Sequence, residues 1–252
     1  MSWCDKLAST PSIGVKFDNH FAPSAEILEV LKPILDPLVK RERPTFLINR
    51  LDPFALELTT EEGFHYGVEP SRVWIDFQHR MRVKPTSGGP PVAELLSRAA
   101  PFSDLLPEVS SRLLDAAKQI LKIAPRKLVR VGVVTTTQVA EEDLPPGIAR
   151  FIDYIARPWH GFVDQYSFQI TADLGKSDNW FDRCNHVVIR PEDPEQLLTL
   201  QFDWNRTFIS ERTATSELVK DEMDRAAQES MKYFEDLGEG NRFDEELIRS
   251  NT

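Results

Sequence analysis

Residues 127–135, KLVRVGVVT, decide the fold, because β-branched and other apolar side chains fill most of the run. Such a composition is typical of a β-strand with a buried face. The run also restarts a pattern, since the chain before it already begins with an alternating strand, SIGVKFD, at 12–18. The sequence therefore predicts two similar halves, each with a strand, a helix, three strands and a helix.

The first half is predicted to span residues 11–123. Leucine and isoleucine residues after Pro23 recur at helical spacing, and Pro33 and Pro37 predict a kink in that helix. The stretch PTSGGPP at 85–91 predicts a break, because glycine and proline interrupt regular elements. The predicted elements are strands at 12–18, 45–49, 54–59 and 73–78 and helices at 24–38, 92–100 and 105–123.

The second half is predicted to span residues 127–237, and a C-terminal tail with a short helix follows at 238–252. Alternating apolar and polar residues predict half-buried strands, and a helix that starts at Ser216 is predicted to end near Gly238. The predicted elements are strands at 127–135, 166–172, 186–190 and 198–205 and helices that begin near 145 and at 216.

These elements predict an α+β fold of mostly antiparallel sheets with the helices on one side, since short loops join most strands. No residue-level identity relates the two halves, so the repeat is one of pattern only. Two arrangements remain open: the halves join their sheets, or they pack helix against helix. In both, the predicted core includes Val131, Val133, Leu200, Phe202 and Trp204.

The chain has 252 residues and a formal net charge of −10, which argues against a general nucleic-acid binder. The charge is uneven: residues 78–130 hold ten Lys or Arg and four Asp or Glu, whereas residues 215–252 hold five and eleven. No apolar run approaches the roughly 18 residues of a membrane span, and a secretory signal is absent. We therefore expect a cytoplasmic protein that does not enter a membrane, with Cys4 and Cys184 as free thiols.

A basic stretch, RVWIDFQHRMRVK at 72–84, joins a predicted strand to a cationic loop. Arginine binds carboxylate and phosphate groups through paired hydrogen bonds. Aromatic residues that would stack on single-stranded nucleic acid are sparse beside these cations. The predicted partner is therefore another protein with an acidic surface, rather than nucleic acid. The predicted binding residues are Arg80, Arg82, Lys84, Arg126, Lys127 and Arg130.

Motifs for catalysis, metal binding and phosphate binding are absent, including the HExxH zinc pattern and glycine-rich nucleotide loops, so no cofactor or metal is expected. The favoured interpretation of Cys184 and His186 is a partly buried thiol beside a surface histidine. Asp76 and Asp203 would approach each other only if the two sheets join. The alternative function is a hydrolase or nucleotide-processing enzyme. Its dispersed site would draw on Asp76, His79, His160, Asp164, Asp203 and Cys184.

Three segments resemble a sporadically distributed, uncharacterised prokaryotic protein family of about this length: RVGVVTTTQV, LLTLQFDWNRTF and SMKYFEDL. The resemblance covers nearly the whole chain. It implies a bacterial accessory protein, encoded beside mobile elements or defence systems, and it implies no activity. Together with the uneven charge, it leads us to expect a non-enzymatic interaction or scaffold protein, an accessory subunit of a prokaryotic complex.

Overall fold

The computed structural model describes residues 9–18, 32, 33, 36, 46–52, 55–86, 89–97, 100–156, 158, 163, 165–192 and 197–239. The strands are β1 (Thr10–Phe17), β2 (Phe46–Asp52), β3 (Ala55–Thr60), β4 (Phe64–Glu69), β5 (Arg72–Phe77), β6 (Met81–Thr86), β7 (Gly89–Leu95), β8 (Leu128–Val139), β9 (Tyr166–Lys176), β10 (Trp180–Arg190) and β11 (Leu198–Phe208). The helices are α1 (Phe102–Ile123), α2 (Pro146–Ala156) and α3 (Ser216–Gly238), and a 3-10 turn lies at Glu141–Asp143.

Nine strands form one antiparallel sheet in the order β2-β3-β4-β5-β1-β8-β11-β10-β9, and β6 pairs with β7 separately. The central pair is β1 with β8, in which Gly14 lies opposite Gly132 and Val15 opposite Val131. Of the two arrangements that the sequence leaves open, the structure therefore has the first, because strands from both sides of Lys127 share one sheet. The expected α+β class with antiparallel strands is confirmed. No helix in the described residues is long and apolar enough to cross a lipid bilayer.

The two long helices of the described residues, α1 and α3, cover one face of the nine-stranded sheet. α1 packs on β1 and β5, α3 packs on β8 and β11, and the two helices pack on each other. Successive side chains of a strand point to opposite faces. In β1, Ile13 and Val15 are therefore buried beneath α1, whereas Gly14 and Lys16 lie on the other face, which we call the open face.

The predicted core of the second half is confirmed. All five residues named for it are at most 2% exposed, and they lie on the covered face: Val131, Val133, Leu200, Phe202 and Trp204. Phe202 stacks on Tyr233 of α3 with 4.3 Å between ring centroids. The alternating pattern of β8 and β11 thus predicts both the strands and the face that each side chain occupies.

The first half departs from its prediction between residues 60 and 100. The prediction omits β4, although its sequence, FHYGVE, alternates Phe, Tyr and Val with His, Gly and Glu. It follows a tight turn at Gly63, whose φ of 101° favours glycine. The first half therefore has four strands after β1, β2 to β5, in the large sheet, where the sequence predicts three.

The predicted helix at 92–100 is wrong, because residues up to Leu95 form β7 and pair with β6. Helix-forming residues such as Ala93 and Glu94 give this stretch a helical appearance, and the ladder overrides their weak preference. The predicted break at 85–91 is also wrong, since most of it belongs to the β6–β7 hairpin. Residues 87 and 88 lie outside the described residues.

The other predicted elements match strands or helices of the structure, with shifted ends. The strand predicted at 186–190 is the second part of β10, and the helix predicted at 105–123 begins at Phe102. Of the helix predicted at 24–38, the described residues are 32, 33 and 36, and these are helical. Residues 240–252 of the predicted tail lie outside the described residues.

A buried ionic cluster joins α3 to the covered face. Arg206 of β11 donates from Nε and Nη2 to the two carboxylate oxygens of Asp182, each at 2.7 Å. Its Nη1 donates to Glu222 of α3 at 3.1 Å, and its guanidinium lies 3.7 Å from the centroid of the Trp180 ring. Burial alone would lower the pKa of Arg206, but the two carboxylates outweigh this effect and raise its pKa. The guanidinium therefore remains charged and bound to both acids.

Replacing Phe202 tests the assignment of the two faces. Phe202→Ala should lower the free energy of unfolding by about 3–5 kcal/mol, because its buried ring leaves a cavity against α3. Urea unfolding followed by circular dichroism measures the change. The matched control is Phe181→Ala on the open face of β10, which should cost less than half as much. Equal losses for the two variants would contradict the assignment.

Replacing Arg206 tests the ionic cluster. Arg206→Met leaves the buried carboxylate of Asp182 without a cation and leaves Glu222 with only the exposed Arg225, at 3.5 Å, so it should destabilise the protein by about 3–5 kcal/mol. The triple variant Asp182→Leu, Arg206→Met, Glu222→Leu removes the stranded charges and should recover much of that loss. Chemical unfolding of both variants gives the two free energies. A triple variant as unstable as the single one would show that the cluster acts through packing alone.

Candidate functional site

The open face carries the candidate site. α1 and α3 pack on the opposite face, and α2 also lies there, with Phe151 against Phe168 of β9 at 5.4 Å between ring centroids. Antiparallel sheets commonly leave one polar face in water, so an uncovered face alone indicates no function. The charges on this face are the informative feature.

Three cations lie side by side across the middle of the open face. Arg72 of β5 is opposite Lys16 of β1, and Lys16 is opposite Arg130 of β8. We call these three exposed residues the cation row. Directly opposed side chains on neighbouring strands have Cβ atoms about 4.5–5.5 Å apart, so like charges there destabilise the sheet. The row therefore has a cost in stability that a binding function would explain.

Two members of the cation row are free to bind a ligand. In the ranges that the structure describes, the side chains of Lys16 and Arg130 form no hydrogen bond or ion pair. Arg72 is held in place, because its Nη2 lies 3.1 Å from Glu69 and its guanidinium lies 4.3 Å from the centroid of the Trp74 ring. The row thus combines one positioned guanidinium with two unneutralised cations, an arrangement suited to carboxylates or phosphates.

A trough of about 690 Å³ runs beside the cation row. Its floor is formed by Gly14 and Gly132, which face each other and raise no side chain. Trp74 borders one end and lies flat over Gly67, where a Cβ would come within 2.1 Å of the indole. Glycine inside a strand often marks close approach of a ligand or another backbone. The trough therefore leaves room for a ligand directly above the two glycines.

The wall of the trough opposite the cation row is of mixed polarity and carries one negative charge. Asp203 of β11 lies opposite Val134 of β8, and Val134 lies opposite Ser12 of β1. All three line the trough. The half-buried carboxylate of Asp203 has no hydrogen bond or ion pair with any residue that the structure describes. Free charges of opposite sign therefore face each other across the glycine floor.

Asp76 continues this wall on β5, and its carboxylate is occupied. It accepts a hydrogen bond from Gln78 Nε2 at 2.8 Å, and its other oxygen lies 2.8 Å from His65 Nδ1. The other ring nitrogen of His65 lies 3.7 Å from Glu57. The hydrogen bond with Asp76 raises the pKa of His65 above its ordinary value, against the lowering effect of burial. Because β4 escapes prediction, the sequence did not place any base beside Asp76.

The six predicted binding residues do not form one patch. Arg80, Arg82 and Lys84 follow Phe77, the last residue of β5. Arg130 lies near the other end of β5, because it is opposite Lys16, and Lys16 is opposite Arg72, the first residue of β5. A strand of six residues spans roughly 17–20 Å, so the two groups lie at opposite ends of it. Their binding role stays a prediction, and only Arg130 belongs to the cation row.

The remaining members of that set differ in their surroundings. Arg126 is buried, and the amine of Lys127 forms an ion pair with Glu211. The guanidinium of Arg80 donates to the Thr60 carbonyl at 3.3 Å. Arg82 and Lys84 are exposed on β6. These environments favour structural roles for Arg80, Arg126 and Lys127.

The residues of the alternative catalytic site do not converge in the described part of the chain. Asp76 and His79 line one hollow on the open face. Two strands separate Asp76 from Asp203, so their Cα atoms lie about 14 Å apart at the usual strand spacing. His160 and Asp164 lie outside the described residues. Among the described residues, no three His, Cys, Asp or Glu side chains are grouped so as to hold a metal ion.

Cys184 and His186 face α3 instead of the open face. The Sγ of Cys184 lies 3.3 Å from His186 Nε2, and the two residues are 1% and 7% exposed. The His186 ring packs against Tyr233 at 4.8 Å between centroids. The expectation of a surface histidine is therefore wrong. His186 lies opposite Phe202 in the β10–β11 ladder, and this register places its side chain on the covered face.

Sequence reasoning misses most of the open-face site. The residues predicted to bind a partner do not include Lys16, Arg72, Gly14 or Gly132. A signal was present, since each of β1 and β8 carries a glycine two residues from a cation on the same face. That signal gains meaning only when the two strands are known to pair.

Comparison of the chain with protein-family models, with curated proteins and with solved structures finds no match.

The pH dependence of stability tests the His65–Asp76 contact. The pKa of His65 is raised in the folded protein, so its stabilising contribution is complete below the ordinary value near 6.5 and is lost as the pH rises through the folded value. The free energy of unfolding of wild type should therefore exceed that of His65→Gln by less and less as the pH increases above about 6.5. Urea unfolding of both proteins between pH 5.5 and 8.5 gives the difference in free energy of unfolding.

His79 provides a control of opposite sign. Burial lowers the pKa of His79, so its contribution is complete above the ordinary value and is lost as the pH falls through the folded value. The advantage of wild type over His79→Gln should accordingly shrink at low pH. A His65 difference that is constant or grows with pH would contradict the contact.

Proposed function

We propose that this protein is a non-enzymatic interaction protein that binds an acidic segment of a partner protein on its open face. The observation that carries the proposal is the cation row. Lys16, Arg72 and Arg130 are adjacent and exposed, and two of them have no neutralising partner in the described residues. An anionic partner would remove the repulsion among them and gain three charge-assisted contacts.

A protein segment fits this face better than nucleic acid does. The chain has a net charge of −10, and a polyanion would be repelled by most of its surface. Among the described residues that line the trough, Trp74 is the only aromatic one. The Arg72 guanidinium already covers its ring at 4.3 Å. The stacking platforms that single-stranded nucleic acid uses are therefore lacking along the trough.

We also propose that the two halves of the chain, residues 11–123 and 127–237, repeat one arrangement of strands and helices. The order of the strands supports it: β1 and β8 are neighbours at the centre of the sheet, β5 lies beside β1, and β11 lies beside β8. A long helix also follows in each half, α3 directly after β11 and α1 after β5 and the β6–β7 hairpin. Two such halves would bring one face of each to a shared central surface. The cation row straddles this junction, with Lys16 from one half and Arg130 from the other.

We further propose that the protein is a cytoplasmic accessory subunit of a prokaryotic complex, linked to defence or mobile elements. This part rests on the resemblance of segments that form β8, β11 and the end of α3. An acidic surface on a neighbouring subunit would then be the partner of the open face. A catalytic role for this chain is not part of the proposal.

A labelled acidic peptide tests the proposal. Binding of fluorescein-labelled decaglutamate is measured by fluorescence anisotropy at low ionic strength. Lys16→Gln/Arg130→Gln should weaken it roughly 2- to 30-fold, because each exposed ion pair contributes about 0.2–1 kcal/mol. The variant should be as stable as wild type or slightly more stable, because repulsion on the face is relieved. Added salt should also weaken wild-type binding, since screening acts over about 8 Å at physiological ionic strength.

Two control variants lose the same charge elsewhere. Arg82→Gln/Lys84→Gln changes the β6–β7 hairpin, which holds two of the binding residues predicted from the sequence. Lys118→Gln/Lys122→Gln changes a partly exposed and an exposed position on α1. Both should bind decaglutamate like wild type. Equal weakening in all three variants would indicate attraction to net charge alone. Weakening only in the hairpin variant would move the binding surface from the open face to β6.

A further inference from the structure

Three charged side chains without partners surround the glycine floor of the trough. Lys16 and Arg130 stand on one wall, and Asp203 stands on the other. They do not neutralise one another, because Val134, the residue opposite Asp203, lies four positions beyond Arg130 along β8. At about 3.4 Å per residue this separation is roughly 13 Å, beyond the range of a direct ion pair.

A ligand with charge of one sign satisfies only one wall. A purely acidic segment would bind Lys16 and Arg130 while being repelled by Asp203, and a purely basic segment would have the reverse problem. A ligand with both signs satisfies both walls. The separation of the walls then decides how far apart its charges must be.

We propose that the trough binds an extended peptide segment with an acidic and a basic side chain four residues apart. This inference rests on the proposed function and narrows its ligand from an acidic segment to a dipolar one. In an extended chain, residues i and i+4 point to the same side and lie about 13 Å apart, which matches the walls. The acidic side chain contacts Lys16 and Arg130, and the basic side chain contacts Asp203.

The floor of the trough suits this ligand. Residue i+2 of the segment also points toward the sheet, and it would lie over Gly14 and Gly132. Neither glycine has a side chain to exclude it. A Cβ at Gly132 would meet the Trp204 carbonyl oxygen at 3.0 Å, so a larger residue there would strain the β8–β11 ladder as well as fill the trough. The peptide therefore approaches the sheet most closely between its two charges.

Replacing Asp203 distinguishes a dipolar ligand from a polyanion, because it changes the two affinities in opposite directions. Asp203→Asn keeps the size of the side chain and removes its charge. A dipolar ligand then loses an attractive contact and binds less tightly. A polyanion, such as an oligonucleotide or an all-acidic peptide, loses a repulsive contact and binds more tightly.

The experiment uses the synthetic peptides TETSTKT and TETSTQT, labelled with fluorescein, against the full-length chain. Fluorescence anisotropy gives each affinity. Asp203→Asn should weaken binding of TETSTKT roughly 2- to 5-fold, as expected for one exposed ion pair, and should leave TETSTQT unchanged or slightly tighter. TETKTST, with its charges two residues apart, should show no loss with Asp203→Asn. Thermal unfolding of the variant confirms that its fold is retained.

Reversing the charge at position 203 provides a second variant. Asp203→Lys should lose affinity for TETSTKT and gain it for TETSTET. Equal effects of Asp203→Asn on TETSTKT and TETSTQT would overturn the dipolar inference.

Lys16→Gln/Arg130→Gln separates this failure from failure of the proposed function. If the double variant weakens all the peptides while Asp203→Asn treats them alike, the acidic-segment proposal stands and only the dipolar inference falls. If the double variant weakens none of them, both fall. Tighter binding of an octathymidylate by Asp203→Asn, without peptide binding, would assign the trough to a polyanion and overturn the inference.

Discussion

The pairing of β1 with β8 is the contact on which the rest of the structure depends. Among the described strands, it is the only ladder that joins strands before Lys127 to strands after it. Its register places Val15 opposite Val131 on the covered face and Lys16 opposite Arg130 on the open face. A shift by one residue would move each strand's side chains to the other face. One register therefore fixes both the core and the candidate binding surface.

The two faces of the sheet have opposite energetic roles. Beneath α1 and α3, large apolar side chains such as Phe77 and Phe202 are almost fully buried, and burial of this kind is the main source of folding stability. On the open face, adjacent cations and an unpaired Asp203 contribute no such gain. Their cost is tolerable because the covered face and its ionic cluster around Arg206 hold the sheet together.

The sequence predicts what depends on local pattern. β8, β11 and the long helices follow from periodicity, and so does the burial of Phe202 and Trp204. β4 is missing from the prediction although FHYGVE alternates apolar and polar residues, because six residues with an internal glycine give only a weak strand signal. The cation row escapes prediction for another reason: its residues come from three distant parts of the chain and meet only through strand pairing. Only Arg130 was among the predicted binding residues.

Nuclear magnetic resonance can locate the proposed binding surface on the open face over β1 and β8. The isotope-labelled chain is titrated with TETSTKT while the backbone amide signals are followed. We predict the largest shifts at Gly14, Lys16 and Gly132, in the floor and near wall of the trough, with little change in α1, α3 or the β6–β7 hairpin. Shifts confined to the helices or to the hairpin, with Gly14 and Gly132 unaffected at saturating peptide, would contradict the proposal.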